Sequence, residues 1–164
     1  MRIGLISDTH DNPTSVKRAV EIFNDEGVEV VLHAGDHIAP FSVGWFKPLE
    51  ARLIGVGGNL DAEYEILGRS YEENGWEFHR HFASLELGGR VALLHGVSNQ
   101  IVVGLAKSGD FDVVVRGHMH QKQFERLEGS LLVNPGEACG YLTGEASIAI
   151  LEMPAGEVRF LSLV

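Results

Sequence analysis

The sequence predicts two β-sheets packed face to face with helices outside, a fold that mixes the α/β and α+β classes. Apolar runs alternate with helical patterns as far as His120, which is typical of parallel strands joined by crossover helices. Beyond Gln121, short strands separated by glycine and proline turns indicate hairpins. At 164 residues the chain fits one domain, and we expect residues 1–164 to form it.

The individual elements follow from local patterns. The segment from Met1 to His10 begins as an apolar run, which predicts a buried strand. Asn12 as N-cap and Pro13 at the first helical position predict a helix that ends near Gly27. Further helices are predicted over 43–49, 62–74 and 99–107. The helix over 62–74 is interrupted near Gly68 and could act as a lid. Strands are predicted over 28–33, 52–56, 90–95 and 111–115, β structure over 76–87, and short strands over 123–127, 131–133, 147–153 and 158–163.

Composition and charge argue against several classes of function. The apolar runs are too short to cross a bilayer, and the chain opens without the apolar stretch of a secretory signal, so we expect a cytoplasmic protein with no membrane partner. The net charge of −10 would repel duplex nucleic acid. Cys139 is the only cysteine, so we expect no internal disulfide and no thiolate metal site, and we interpret it as a small packed residue.

Side chains that can bind metal ions follow five of the predicted strands. These seven donors are Asp8, His10, Asp36, Asn59, His95, His118 and His120. Ligands bind outside the carboxyl ends of strands in open α/β sheets, so we expect the donors to converge on one edge. Seven donors exceed the need of one tetrahedral zinc ion, and a carboxylate can bridge two ions, so two ions are implied. Pairs of ions about 3.5–4 Å apart serve phosphatases and nucleases, with a bridging hydroxide available as the nucleophile.

The donors lie in motifs that resemble those of a known family. In order, Asp8-Thr9-His10, Gly35-Asp36, Gly58-Asn59, His95-Gly96 and Gly117-His118-Met119-His120 resemble the motif blocks of the calcineurin-like metallophosphoesterases. The length resembles that of their short single-domain phosphodiesterase branch. The resemblance implies the metallophosphoesterase fold, a β-sandwich flanked by helices, with a dinuclear metal centre.

The same resemblance implies a division of the ligands between two divalent ions. The first ion would be held by Asp8, His10 and His120, the second by Asn59, His95 and His118, and Asp36 would bridge them. Manganese (Mn²⁺) is the common cofactor of the family, with nickel (Ni²⁺), zinc (Zn²⁺), iron (Fe²⁺) or magnesium (Mg²⁺) as substitutes. Mixed nitrogen and oxygen ligands suit several of these metals, so the sequence does not choose among them.

Two positions depart from the family pattern. Many members carry a histidine directly after the motif asparagine, taken to protonate the leaving group, whereas this chain has Leu60 followed by Asp61. The catalytic acid is therefore unassigned, with His37, Asp61 and a metal-bound water as the alternatives. His37 and Asp61 are also candidates for supporting the ligands or facing the substrate. The second departure is the turn 134–137, Asn-Pro-Gly-Glu, which ends in Glu137 where the similar family turn usually ends in serine.

Other histidines and aromatic residues receive plainer interpretations. His33 lies within an apolar strand and is interpreted as a core residue, while His79 and His81 are interpreted as surface residues. The aromatic stretch over 41–46 could pack against the sheet, line the rim of the site or form the surface of a homodimer. Packing is the commonest role for such residues.

The predicted function is hydrolysis of a small phosphodiester by a metal-dependent phosphoric ester hydrolase. One alternative is a catalytically weak scaffold for protein interaction, similar to the metallophosphoesterase-like subunit of retromer. Another is a phosphomonoesterase. Because all seven ligand positions carry competent donors, the sequence favours an enzyme over a scaffold.

Overall fold

The computed structural model describes residues 1–164 as two facing β-sheets with helices on their outer sides. The helices are α1 (Pro13–Asp25), α2 (Tyr64–Glu72) and α3 (Asn99–Lys107), with a 3₁₀ helix over Pro40–Phe46. The strands are β1 (Arg2–Ile6), β2 (Val30–His33), β3 (Arg52–Val56), β4 (Glu77–His79), β5 (Phe82–Glu86), β6 (Arg90–Leu94), β7 (Val113–Val115), β8 (Lys122–Leu127), β9 (Ser130–Pro135), β10 (Ser147–Glu152) and β11 (Glu157–Ser162). None of the helices has the length and apolar character needed to span a bilayer.

Both sheets are mixed, and this confirms the predicted fold class. The first sheet has the order β11-β10-β1-β2-β3-β4, in which β1 to β4 are parallel to one another. β10 pairs antiparallel with β1, and β11 pairs antiparallel with β10. The second has the order β5-β6-β7-β9-β8, in which β6, β7 and β9 are parallel. The carboxyl ends of β1, β2 and β3 therefore point the same way in one sheet, as do those of β6 and β7 in the other.

The four strands beyond Gln121 form two hairpins, as their glycine and proline turns indicate, and the two hairpins join different sheets. β8 and β9 form a hairpin at the edge of the second sheet, whereas β10 and β11 form a hairpin that pairs with β1 in the first sheet. Glycine and proline turns specify local hairpins but carry no information on which sheet a hairpin joins. The chain crosses between the sheets after β9.

The core lies between the two sheets and continues beneath the helices. Ile3 and Leu32 of the first sheet belong to one buried cluster with Leu93 and Val115 of the second. A second cluster packs α1, α2 and the 3₁₀ helix on the outer side of the first sheet, and a third packs α3 on the second. The prediction that residues 1–164 form one domain stays a prediction, and the core shared by both sheets favours it.

Helix α1 begins where its capping residues predict. The Asn12 side chain accepts a hydrogen bond from the Ser15 amide (3.1 Å), Pro13 occupies the first turn, and Gly27 follows the helix with φ +62°. The apolar stripe that ends at Phe23 is fully buried. Local chemistry is sufficient to place this helix.

Two other predicted helices differ from those observed. Helix α2 runs through Gly68 without interruption, and its buried Leu67 and Tyr71 pack it against the first sheet. The short helix expected over 43–49 is instead the 3₁₀ helix that starts at Pro40. Of its aromatic residues, Phe46 is buried, whereas Phe41 is 68% exposed.

Candidate metal centre

All seven predicted donors lie together at one end of the sandwich. Five strands deliver them: β1, β2 and β3 from the first sheet, β6 and β7 from the second. Each donor has a ligand atom within 3.7 Å of one on another donor; the linking contacts run from His118 through Asn59, His95, Asp36, His10 and Asp8 to His120. The structure therefore brings together residues that are separated by up to 112 positions in the sequence.

The backbone at most of these donors has an uncommon conformation. Positive φ angles occur at Asp8 (54°), His10 (43°), Asp36 (59°), His118 (68°) and His120 (56°). Non-glycine residues rarely adopt this left-handed region, and such residues cluster at functional sites. The sharp turns they form directly after the strands aim neighbouring side chains at a common point.

Two motif glycines allow the loops to approach the donors. A Cβ atom at Gly58 would collide with the side chain and backbone of Asp36, and one at Gly117 would collide with Ser7 and with the Asp8 carboxylate. Only hydrogen fits at these positions. The glycines that precede Asn59 and His118 are thus explained by close packing around the carboxylates.

One group of donors surrounds Asp8. Its Oδ1 atom lies 3.7 Å from Nε2 of His10 and 3.4 Å from Nε2 of His120, while Oδ2 accepts a hydrogen bond from the hydroxyl of Ser7 (2.6 Å). Nδ1 of His120 lies 2.6 Å from Oε2 of the buried Glu137. A carboxylate can only accept, so Nδ1 of His120 carries the proton and Nε2 presents its lone pair toward Asp8.

A second group surrounds Asn59. Its Oδ1 atom lies 2.9 Å from Nε2 of His95 and 3.0 Å from Nδ1 of His118. The other ring nitrogen of His95 donates to the carbonyl of Ala34 (2.8 Å), so in the neutral ring Nε2 is an acceptor. When His95 is neutral, its Nε2 lone pair and the amide oxygen of Asn59 face each other, and a cation between them would stabilise this arrangement.

Asp36 lies between the two groups. Its Oδ2 atom is 3.7 Å from Nε2 of His10 in the first group and 3.4 Å from Nε2 of His95 in the second. Its Oδ1 atom accepts a hydrogen bond from the Leu60 amide (2.9 Å). Asp36 is thus adjacent to a histidine of each group.

Hydrogen bonding and charge indicate that the cluster fits metal ions. Oδ1 of Asp8 and Nε2 of His10 are buried and have no hydrogen-bond partner, which is costly unless a cation binds them. Ligand atoms of Asp8, Asp36 and His95 all lie within 4.8 Å of one another. Burial lowers the pKa of His95, but the adjacent Asp36 carboxylate outweighs it and raises the pKa overall. The carboxylates therefore favour positive charge at this point.

Asp61 is a structural support that does not reach the surface. It is only 2% exposed. Its carboxylate accepts hydrogen bonds from three backbone amides, those of Asp36 (3.0 Å), Gly58 (2.8 Å) and Ile38 (2.8 Å). Although burial raises its pKa, His37 and these amides outweigh that effect and lower the pKa of Asp61 well below its usual range. Asp61 therefore ties the loop after β2 to the loop after β3.

His37 completes this buried network. Its Nδ1 lies 3.0 Å from Oδ2 of Asp61, and its Nε2 lies 2.7 Å from the hydroxyl of Tyr71 in α2. The ring is fully buried and stacks on His33 at 3.6 Å between centroids. His37 and Asp61 are thus both buried behind the loops that carry Asp36 and Asn59.

Two residues near the donors, Glu137 and Arg116, were not assigned to the site from the sequence. Glu137 holds His120, and the pKa of Glu137 is lowered to about 2 because hydrogen bonds from His120 and Thr143 outweigh burial. Arg116 is buried and donates to the carbonyl of Gly96 (2.6 Å). Glu137 was flagged only as a departure from the family turn. Arg116 follows β7 directly, and a charged residue between an apolar strand and a histidine motif is the signal that could have identified it.

Cys139, the single cysteine, was not expected near a metal site but lies close to the donors. Its Sγ atom belongs to a cluster with ligand atoms of His10 and His120, all within 4.8 Å. The residue is buried, as expected for a packed cysteine, and burial raises the pKa of its thiol to about 12. The thiol is therefore neutral at physiological pH and packs beside the donors.

The remaining histidines lie apart from the two donor groups. His33 is fully buried, accepts the Gly35 amide at Nδ1 (3.1 Å) and contacts Thr9 (3.2 Å), as a core histidine should. The side chain of His79 is 38% exposed, and His81 is an exposed residue. These locations agree with the interpretations drawn from the sequence.

Comparison with known proteins places these features in a family. Residues 1–156 match the family described as the calcineurin-like phosphoesterase superfamily domain. The phosphodiesterase MJ0936 of Methanocaldococcus jannaschii is 40% identical over 168 residues, which cover 99% of each chain. A solved structure of an archaeal phosphodiesterase has a TM-score of 0.95 at 39% identity and also covers 99% of both chains.

A more distant likeness concerns the fold alone. The structure of Vps29 from Chaetomium thermophilum has a TM-score of 0.72 at 16% identity, covering 99% of this chain and 94% of that one. With the family match over nearly the whole length, these comparisons confirm the predicted family, its fold and its class of enzyme, the phosphoric ester hydrolases. The chain belongs to the calcineurin-like phosphoesterase superfamily.

Proposed function

We propose that this protein is a metal-dependent phosphodiesterase with a dinuclear centre. The observation that carries the proposal is Asp36, whose Oδ2 atom lies between the imidazoles of His10 and His95 in two separate donor groups. When bound, two divalent ions would lower the pKa of a water molecule for attack on phosphorus and neutralise charge on the phosphate oxygens. The names of the relatives that cover the whole chain support the choice of a diester.

The proposed ligands divide as the family resemblance implies. Asp8, His10 and His120 would hold one ion, and the second would be held by Asn59, His95 and His118. Asp36 would contact both ions. The contacts within each group and the unpaired buried atoms of Asp8 and His10 support this division.

The protein's own groups restrict how the leaving group can be protonated. Leu60, at the position after the ligand Asn59, is 52% exposed and cannot donate a proton. His37 and Asp61 are buried and bonded to each other, so neither can serve as the acid. We infer that turnover depends strongly on the leaving group, with aryl esters hydrolysed much faster than alkyl esters.

Substitution of Asp36 tests the proposal. With bis(p-nitrophenyl) phosphate and Mn²⁺, Asp36→Ala should lower kcat/KM about 100-fold or more, because both ions lose a shared ligand. The control is Asp112→Asn, which alters an exposed carboxylate paired with Arg90 and should keep full activity. Chelation should abolish turnover, and Mn²⁺ should restore it. Turnover that survives chelation, or an unchanged rate in Asp36→Ala, would contradict the proposal.

Several finer assignments belong to the same proposal. Mn²⁺ is proposed as the native ion because it is the common cofactor of the resembling family. The substrate is proposed to be a small phosphodiester, since the net charge of −10 disfavours duplex nucleic acid. The proposed compartment is the cytoplasm. A homodimer, if it forms, would use the exposed Phe41 and its edge-on neighbour Trp45.

A further inference from the structure

A cavity of about 620 Å³ opens from the side of the metal centre where Asn59 and His95 lie. Both of these donors form part of its wall. The rest of the wall is mainly apolar and comes from α2, β5, β6 and α3, with Tyr64, Phe82, Leu94, Val97, Ile101 and Leu105 as its larger side chains. No aspartate, glutamate, lysine or arginine lines the cavity, although the chain as a whole carries a charge of −10.

The apolar side chains at the mouth are unusually open to solvent. Ile101 is 60% exposed, Val97 is 58% exposed and Phe82 is 41% exposed. Scattered exposed apolar residues are normal, but a group of them around a concave surface marks a binding site. The volume lies within the range of small-molecule pockets, roughly 300–1,000 Å³.

Hydrogen bonds from Tyr64 and Arg116 hold the wall of the cavity in place. The hydroxyl of Tyr64 donates to the carbonyl of Gly58 (2.7 Å), and its ring packs closely over Gly57, where no Cβ would fit. On the opposite side, the buried Arg116 donates to the carbonyl of Gly96 and to Oδ1 of Asn99 (2.8 Å). The loop between β6 and α3 is thereby fixed at both ends, so the cavity is formed before any ligand binds.

We propose that this cavity binds one ester arm of the substrate and selects an uncharged aromatic ring or an apolar group of similar size. The inference rests on the proposed hydrolysis of phosphodiesters. A diester held by the donors carries two arms, and an arm on the Asn59 and His95 side enters the cavity. An apolar arm displaces water from apolar walls, whereas a charged arm finds no counter-charge there; apart from the two donors, the polar side chains of the wall are His81 and Ser98 and the hydroxyl of Tyr64. The lack of carboxylates in the wall also keeps repulsion of the phosphate low.

Binding of two phosphonates tests the cavity without requiring turnover. Isothermal titration of the Mn²⁺-loaded protein should show phenylphosphonate binding about tenfold more tightly than methylphosphonate. Ile101→Ser should remove most of this preference and leave the affinity for methylphosphonate unchanged. Ile101 is exposed, so the fold should survive the substitution, and Val97→Ser provides a second variant. Phe124→Ser removes an exposed apolar residue of β8 outside the cavity (47% exposed) and should change neither affinity.

Kinetics with bis(p-nitrophenyl) phosphate give the matching readout. Ile101→Ser should raise KM more than it lowers kcat, because ground-state binding of the arm is lost. Equal affinity of the wild type for the two phosphonates would overturn the proposal, as would a preference that Ile101→Ser leaves intact. A dimer that Ile101→Ser dissociates, with phenylphosphonate binding unchanged, would assign this face to a second copy instead. Absence of metal-dependent turnover in a wild type that still prefers phenylphosphonate would refute the proposed function and leave the cavity supported.

Discussion

Single side chains in the candidate metal centre are oriented by partners that lie behind them. His120 donates to Glu137, and His95 donates to the carbonyl of Ala34, so that each ring turns its other nitrogen toward the donors. Such partners fix the tautomer and the orientation of a metal-binding histidine and raise its basicity. Glu137 is held in turn by the amide and the hydroxyl of Thr143. It occupies the turn position where the family usually has serine.

Replacing Glu137 should therefore weaken metal binding. We expect Glu137→Gln to lower the affinity for Mn²⁺ about 10–100-fold, since the neutral amide holds His120 less firmly in its binding tautomer. Titration calorimetry of the metal-free protein with Mn²⁺ measures this directly. Glu145→Gln is the control, because Glu145 is exposed and pairs only with Lys122. An affinity equal to that of the wild type would show that His120 does not depend on Glu137.

At the scale of elements, Asp61 joins the loops that follow β2 and β3. One carboxylate accepts hydrogen bonds from the backbone amides of Asp36 and Gly58, and so fixes Asp36 relative to the loop that carries Asn59. His37 links the same carboxylate to Tyr71 of helix α2. Helix α2 is thus attached to the metal centre by hydrogen bonds as well as by packing.

This arrangement predicts a large cost for a small change. Asp61→Asn places an amide group where several donors converge, so buried amides lose their acceptor, and we expect about 3 kcal/mol of lost stability in urea unfolding. Tyr71→Phe removes one hydroxyl from the same network and should cost about 1–2 kcal/mol. If both variants lost the same small amount of unfolding free energy, Asp61 would not be the acceptor on which this network depends.

Several parts of the fold and the site could be predicted from the sequence because they follow from local chemistry. The Asn12 cap fixes the start of α1, and apolar runs that end at Asp8 or Asp36 identify strands that deliver donors. The placement of the β10–β11 hairpin beside β1 depends on pairing across the whole chain, and no local signal encodes it. Arg116 had a local signal in its place before the histidine motif, but its partners Gly96 and Asn99 are distant in the sequence. Glu137 was missed because its contact with His120 depends on a folded turn.

At the scale of the whole molecule, the donors come from both sheets. Asp8, Asp36 and Asn59 follow strands of the first sheet, whereas His95 and His118 follow strands of the second. A proposed pair of ions that contacts all of them would connect the two halves of the sandwich. Metal binding is then coupled to the stability of the folded state.

Thermal unfolding checks this coupling without measuring turnover. Mn²⁺ at about 100 times its Kd should stabilise the fold by roughly 2.7 kcal/mol, which raises Tm by about 5–10 °C for a chain of this size. Asp36→Ala should lose most of the shift, and Asp112→Asn should keep it. A wild-type Tm that stays constant from chelator to saturating Mn²⁺ would refute a centre that connects the two sheets.

The left-handed backbone at Asp8, His10, Asp36, His118 and His120 also bears on how this protein could be engineered. Glycine adopts such angles without steric cost, so glycine at these positions would relieve backbone strain in the metal-free protein. The same exchanges would delete the proposed metal ligands. Thermostability and chemistry therefore make opposite demands on the same few residues, and a stabilising screen would need a parallel assay of hydrolysis to retain a working enzyme.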